Sequence, residues 1–120
     1  MTYQTFIQRA SGDAILQVVP GTKHCSITEP SIHIRYHIAI TYCTSALDED
    51  GFLIEATAFK GYFTGLGANP ISLSCERLSK KICMDFMDML GDRKSKVLDC
   101  SVVLEPFPGV SVEYKASKDA

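Results

Sequence analysis

Two histidines stand four positions apart in the stretch "PSIHIRYHIAITY", residues 30–42, and imidazole is suited to metal binding or proton transfer. Apolar and polar residues alternate along this stretch, which predicts a β-strand over residues 32–42. On such a strand His33 and His37 share a face about 13 Å apart, at about 3.3 Å per residue. One zinc ion needs each nitrogen about 2 Å away. We therefore expect exposed or interface histidines beside Arg35.

The five cysteines are odd in number and contain no Cys-x-x-Cys pair. This pattern favours neither a complete disulfide framework nor a zinc knuckle, and most cysteines are expected to be small buried side chains. The sequence also lacks the phosphate-loop, serine-hydrolase and zincin motifs. The common signatures of nucleotide hydrolysis and proteolysis are therefore absent.

A chain of 120 residues predicts a single domain, 1–120, with a core of useful size. The net charge of −2, with both signs mixed along the chain, offers no basic stripe for nucleic acid. The first residues lack a signal-peptide pattern, and no run of about 18 apolar residues predicts a membrane span. We expect a cytoplasmic protein with neither nucleic acid nor membrane as a partner.

The elements around the long strand are predicted from turns and periodicity. "TYQTFIQ" predicts a first strand broken by "ASGD", and "LQVVPGTK" predicts a short apolar piece that ends in a turn at Pro20-Gly21. After residues 32–42, the acidic turn "LDEDG" followed by "FLIEATAF" predicts a hairpin.

The second half of the chain carries the stronger helix signals. "ATAFKGYF" predicts a short helix ended by "GLGANP". From Ser74 to Leu90 apolar residues recur every three to four positions, Met89 among them, and Gly91 follows as a C-cap, which predicts a second helix. "VLDCSVVLE" and "GVSVEYK" predict two closing strands joined through Pro106 and Pro108. This order indicates an α+β domain with an antiparallel sheet and helices on one face.

Four stretches in order are similar to the 6-pyruvoyl-tetrahydropterin synthase and 6-carboxytetrahydropterin synthase family, which has the tunnelling (T-) fold. They are "LQVVPGTKHC", "YHIAITYCTSALDEDGFLIEATAFK", "SCERLSKKI" and "LEPFPGVSVEY". The resemblance covers residues 16–114 and implies a four-stranded antiparallel sheet with two helices on one face. It also implies a homo-oligomeric barrel, as a trimer or hexamer.

The chain departs from the family at its chemical residues. The family's His-x-His zinc ligands fall on Ile32 and Ile34, and its third histidine falls on or near Ala14. The family's Leu-Asp-His stretch, which supplies an acid-base pair, is missing between "KGYFTGL" and "GANP". The resemblance therefore implies a divergent, metal-independent member without a cofactor, and the loss of the zinc histidines and of the Asp-His pair weighs against an enzyme.

Four residues still match positions that carry function in the family. Cys25 lies near the reactive cysteine and is the candidate catalytic residue, although nothing evident lowers its pKa. Glu105 matches the glutamate that accepts two N–H bonds from the edge of a pterin, and the alternative is a solvated loop acid. Ser74 and Glu76 match a ligand-binding Thr-x-Glu, and the alternative is a helix cap with a favourable charge.

These matches leave three functional hypotheses. The first is binding of a pterin-like or guanine-like ring without zinc-dependent catalysis, with the ring held by Glu105 in an apolar site formed by Ile32 and Ile34. The second is an active lyase or epimerase of the pterin or 7-deazapurine pathway, with a site rebuilt between subunits from His24, Cys25, His33 or His37. The third is a protein-interaction module without catalysis.

Overall fold

The strands of this protein form one antiparallel sheet in the order β1-β2-β3-β4, and two helices cover one of its faces. The computed structural model describes residues 4–19, 31–72 and 74–118. Its main elements are β1 (Thr5–Gln17), β2 (Ser31–Cys43), α1 (Ala56–Leu66), α2 (Cys75–Leu90), β3 (Val97–Phe107) and β4 (Val110–Ser117). The predicted α+β class, the four-stranded antiparallel sheet and the central position of the long strand are confirmed.

Strand β2 forms because its side chains alternate between two environments. Its even-numbered side chains are buried beneath the helices: Ile32, Ile34, Tyr36, Ile38, Ile40 and Tyr42. The odd-numbered side chains of β2 lie on the opposite face, which carries no helix in the described chain and is here called the open face. His33, Arg35 and His37 therefore point away from the core, as the alternation predicts.

Helix α2 has the boundaries that its sequence predicts. Ser74 is the N-cap, and its Oγ accepts a hydrogen bond from the backbone N–H of Arg77 at 3.3 Å. Gly91 ends the helix with φ 58°, a conformation that favours glycine. The apolar stripe of α2 enters the core with Leu78, Ile82, Phe86 and Leu90, all buried. Met89 was predicted on this stripe, and that prediction is wrong because its side chain is 48% exposed.

Strand β1 corrects the predicted break at "ASGD". The strand is continuous, and each of its residues pairs with β2 from Thr5 opposite Cys43 to Gln17 opposite Ser31. A glycine is suitable in this strand because a Cβ on Gly12 would lie 2.7 Å from Oη of Tyr36. Pairing with a long central neighbour outweighs the weak strand propensity of these small and polar residues.

The predicted strand at "FLIEATAF" is also wrong, and so is the hairpin. Residues 52–55 form no strand, and α1 begins at Ala56. The preceding turn is closed by Asp48, whose Oδ1 accepts the N–H groups of Asp50 and Phe52 at 2.9 Å. Gly51 adopts φ 86°, as a positive-φ position was predicted there. The segment is thus a loop, and it delivers the buried Leu53 and Ile54 to the core.

Arg93 fixes the same loop from the other side. Its Nη1 donates to the carbonyl oxygens of Ala46, Phe52 and Leu53 at 3.0, 3.2 and 3.2 Å. These carbonyls belong to chain that has no sheet partner, so one guanidinium satisfies acceptors that a strand would have paired.

Strands β3 and β4 were predicted, but Pro106 lies within β3 and does not join the two strands. The turn between them is Pro108-Gly109, with Gly109 at φ 84°. The β3–β4 register shifts between Leu104 and Phe107, which leaves Glu105 and Pro106 without partners on β4. Proline has no N–H to donate, so a shift of this kind accommodates it in a strand.

Three further predictions concern a turn, the cysteines and membrane-spanning segments. The turn at Pro20-Gly21 lies outside the described residues. Cys83 and Cys100 are free and buried, as most cysteines were expected to be, whereas Cys43 is half-buried and the buried Cys75 is disulfide-bonded. Neither α1 nor α2 has the length and apolarity that a transmembrane helix requires.

Candidate functional site

A row of alternating charges crosses three strands on the open face. Asp13 on β1 lies directly opposite Arg35 on β2, and Arg35 lies directly opposite Glu105 on β3. Adjacent antiparallel strands are about 4.8 Å apart, so Asp13 and Glu105 flank Arg35 with about 10 Å between their strand positions. Opposite charges at directly paired positions favour this register.

Each carboxylate of this row also approaches a histidine of β2. Nε2 of His37 lies 3.3 Å from Oε1 of Glu105, and Nε2 of His33 lies 3.4 Å from Oδ1 of Asp13. The two histidines thus interact with different acids on opposite sides of Arg35. The geometry agrees with the expectation that they do not converge on one metal ion.

A cavity of about 440 Å³ opens over this row. It is lined by Asp13, His33, Arg35, Glu105, Pro106, Phe107 and Pro108. The charged residues form one side, and Pro106 and Phe107 at the end of β3 and Pro108 of the following turn supply apolar surface. A volume of this size accommodates a small bicyclic molecule. Polar groups beside an aromatic ring are suited to binding a flat, polar heterocycle.

The strand irregularity in β3 shapes the Glu105 side of this cavity. Glu105 keeps its partner on β2 but has none on β4, because the β3–β4 register shifts at this point. Irregularities of this kind change the direction of a side chain and often lie beside functional sites. The Glu105 side chain is 34% exposed, so its carboxylate is partly shielded and still accessible.

The predicted association of Glu105 with Ile32 and Ile34 is wrong. Ile32 and Ile34 are 4% and 1% exposed and belong to the core beneath the helices. Glu105 lies on the open face of the same sheet, because it occupies the alternate position from the buried Leu104. The sheet itself separates the two, so the apolar ring site that they were expected to form does not exist.

The three positions that the resemblance assigns to zinc ligands do lie close together. Ala14 pairs directly with Ile34, and Ile32 lies two residues away on the same face of β2. In this chain that cluster is apolar and packs against the helices. Among residues 4–19, 31–72 and 74–118, no group of three His, Cys, Asp or Glu side chains has an arrangement that could hold a metal ion.

The remaining predicted site residues do not join Glu105. Ser74 caps α2, and the exposed Glu76 lies in the first turn of that helix, so both belong to the helical layer on the other side of the sheet. Their positions match the capping interpretation. Cys25 and His24 lie outside the described residues.

A second polar cluster lies in the helical layer. The hydroxyl of Tyr62 donates to Oδ2 of Asp85 at 2.6 Å, and Nζ of Lys81 donates to the same oxygen at 2.7 Å. Burial alone raises the pKa of the Asp85 carboxyl, but the hydrogen bonds from Lys81 and Tyr62 and the charge of Lys81 outweigh it and lower the pKa. Burial, followed by the bond to Asp85, raises the pKa of Tyr62, which makes its hydroxyl a poor acid.

Sequence reasoning missed Asp13 and the full role of Arg35. Asp13 stands within "ASGD", which was interpreted as a strand break, so its place on the open face became visible only with the register of β1. Because β1 and β2 pair without interruption, the register of the two strands alone would have placed Asp13 opposite Arg35. Comparison of the chain with protein-family models and with curated proteins gave no match.

Proposed function

We propose that this protein binds a flat heterocycle with a pterin-like or guanine-like amino edge, without a metal ion, in the open-face cavity. The observation that carries the proposal is the position of Glu105, partly shielded at the edge of a 440 Å³ cavity that also contains Arg35 and Phe107. A carboxylate there can accept two parallel N–H bonds from such an edge. The chain is then a divergent T-fold protein of the cytoplasm.

The rest of the cavity suits the faces of the ring. Arg35 lies beside Glu105 in the register, and a planar guanidinium stacks well on aromatic rings. Phe107 lies beyond Glu105 on the same strand and is 41% exposed. These two side chains provide surfaces for the ring faces while Glu105 determines which edge enters. This arrangement replaces the apolar site first expected around Ile32 and Ile34.

Calorimetry with neopterin, biopterin, 6-carboxypterin and guanosine tests this proposal. We expect at least one of them to bind, and Glu105→Ala to weaken that binding by about 2 kcal/mol, or about 30-fold. This value is the lower end for removing one partner of a charged hydrogen-bonded pair, because the Glu105 side chain is partly exposed. Asp99→Asn is the matched control on the same strand. If no ligand binds, or if Glu105→Ala binds equally well, the proposal fails.

The histidine-carboxylate pairs favour a second candidate, metal-free acid-base catalysis on the bound ring. His33 next to Asp13 has the composition of a proton-transfer pair, and both line the same cavity as Glu105. Incubation of the protein with a dihydropterin substrate, followed by product analysis, tests this candidate. Turnover that is lost in His33→Ala supports catalysis, and an unchanged substrate supports binding alone.

We also propose that the protein is a homo-oligomer, as the T-fold resemblance implies for a trimer or hexamer. The sheet has two edge strands, β1 and β4, and the first part of β1 exposes Phe6 and Ile7. Long edge strands with apolar side chains tend to pair with other chains. Light scattering at micromolar concentration should show a multiple of 13.2 kDa. Ile7→Lys should weaken the assembly and Met84→Lys on α2 should not; a monomeric wild type contradicts the proposal.

A further inference from the structure

We infer that the open-face cavity selects heterocycles whose side chain is uncharged and hydroxylated, and that Asp13 is the residue that excludes a phosphorylated side chain. This inference rests on the proposed function and adds the substrate class. It follows from the position of Asp13, which lies across Arg35 from the proposed anchor Glu105 and lines the same cavity.

The register determines where the two ends of a bound ring lie. An amino edge bound to Glu105 on β3 directs the opposite end of the ring over Arg35 and toward β1. The strand positions of Glu105 and Asp13 are about 10 Å apart, which is comparable to a bicyclic ring with its hydrogen bonds. The substituent at the far end of the ring therefore meets Asp13.

Asp13 is suited to hydroxyl groups and unsuited to anions. Its side chain is 56% exposed, and His33 lies 3.4 Å away at Oδ1. The carboxylate can accept hydrogen bonds from a diol or triol, whereas a phosphate group meets a like charge at the same place. The row contains two carboxylates and a single guanidinium, so negative side chains occupy the paired positions on both sides of Arg35.

The nearby lysine and arginine side chains of the described chain do not offset the repulsion between Asp13 and a phosphate group. Arg9 and Glu113 belong to a neighbouring cavity of about 310 Å³ that also contains His37, and Lys115 lies 3.4 Å from Asp99. Lys60 lines a different cavity, on the other side of Asp13, formed with Tyr36 and Phe63 beneath the helices. None of these cations lines the cavity that contains Glu105.

Matched pairs of probes test the inference. Guanosine and guanosine 5′-monophosphate share one binding edge and differ in a phosphate, and neopterin and its monophosphate form a second pair. Calorimetry should show the phosphorylated member of a pair binding at least about tenfold more weakly. Raising the salt concentration should narrow this difference, because screening weakens charge repulsion and leaves a steric effect unchanged.

Substitutions test whether Asp13 causes the weaker binding of the phosphorylated ligands. Asp13→Asn keeps the shape of the side chain and removes its charge, so it should narrow the difference within each pair to about threefold or less. Asp99→Asn, a carboxylate of the same sheet outside the cavity, should preserve the difference. Circular dichroism of each variant verifies that it is folded.

The outcomes separate this inference from the proposed function. If guanosine and neopterin bind and their phosphates bind equally well, the inferred exclusion of phosphates is wrong, whereas the proposed binding of the ring is supported. If Asp13→Asn keeps the full difference, Asp13 is not the residue that discriminates. If no member of either pair binds the wild-type protein, the proposed function and this inference both fail.

Discussion

His37 contacts Glu105 diagonally across two strands, with Nε2 3.3 Å from Oε1, while the residue directly opposite Glu105 is Arg35. The side-chain contact of the Glu105 carboxylate is thus with its diagonal neighbour on β2, not with the residue directly opposite it. Because both partners are substantially exposed, this contact contributes little to folding. We expect its main effect to be on the orientation of the Glu105 carboxylate, which lines the cavity.

We predict that His37→Ala weakens ligand binding but leaves the stability of the fold nearly unchanged. The free energy of unfolding should change by less than about 1 kcal/mol, as for other exposed pairs. Ligand affinity should fall by about threefold to tenfold, because the freed carboxylate must be ordered on binding. Urea denaturation and calorimetry on one preparation measure both quantities, and His33→Ala is the matched control for stability. Unchanged affinity for every ligand would show that His37 does not orient Glu105.

Asp85→Asn tests how much the polar cluster of Tyr62, Lys81 and Asp85 stabilises the fold. At neutral pH this change should lower the free energy of unfolding by about 1 to 2 kcal/mol, since it removes a charge-assisted contact with Lys81 and weakens that with Tyr62. The pKa of Asp85 is lowered in the folded state, so its stabilising effect is present above the unfolded pKa and is lost as the pH falls through the folded value.

The measurement is urea denaturation of wild type and Asp85→Asn over a series of acidic pH values. The two stabilities should converge as the pH falls. Tyr62→Phe removes one donor and leaves Lys81 in place, so its deficit should be smaller. A constant difference between wild type and Asp85→Asn at every pH would contradict the lowered pKa.

Gly12→Ala should destabilise the protein by about 1 to 3 kcal/mol, the usual cost of overfilling a packed site. The new Cβ would lie 2.7 Å from Oη of Tyr36, and the tyrosine cannot move freely because its ring stacks on Phe63 at 3.7 Å between centroids. Adding Tyr36→Phe removes the closest atom and should restore part of the loss. Thermal unfolding of both single variants and the double variant tests this coupling; simple additivity would disprove it.

Arg93→Ala should loosen the loop before α1. The change removes hydrogen bonds to three backbone carbonyls and should lower the free energy of unfolding by about 2 kcal/mol. Lys94→Ala in the same turn is the control and should change it by less than about 0.5 kcal/mol. Hydrogen exchange at residues 47–55 should become faster in Arg93→Ala alone. Equal protection in both variants would show that Arg93 does not hold the loop.

The elements with strong local patterns were predictable from sequence. The strict alternation of β2 and the Ser74 cap with the Gly91 stop define one strand and one helix without reference to the rest of the chain. The loop at residues 52–55 was not predictable, because Leu53 and Ile54 are buried by the core while Arg93, rather than a neighbouring strand, binds backbone carbonyls of the loop. Local apolar character does not distinguish these two ways of burying a side chain.

The candidate site was only partly predictable for a similar reason. Glu105 and the two histidines were identified from sequence, but the face on which Glu105 lies depends on the alternation of β3 and on its irregularity at Pro106. The partnership with Asp13 depends on the register between two strands that are distant in sequence. Register is a tertiary property, and a shift of one residue would reverse every side chain between faces.

The C-terminal end of β1 sets a limit on any strand that joins its free edge. Val19 N–H donates to the carbonyl of Ile71 and Ile71 N–H donates to Gln17, each at 2.8 Å, so the segment after α1 already pairs with that end. The carbonyl of Ile15 abuts Gly67, where even a Cβ would lie 2.8 Å away. An added strand therefore finds free backbone only along the first part of β1, and it must stop before Ile15. In the proposed oligomer, backbone contacts within one chain would thus limit the stagger between two joined chains.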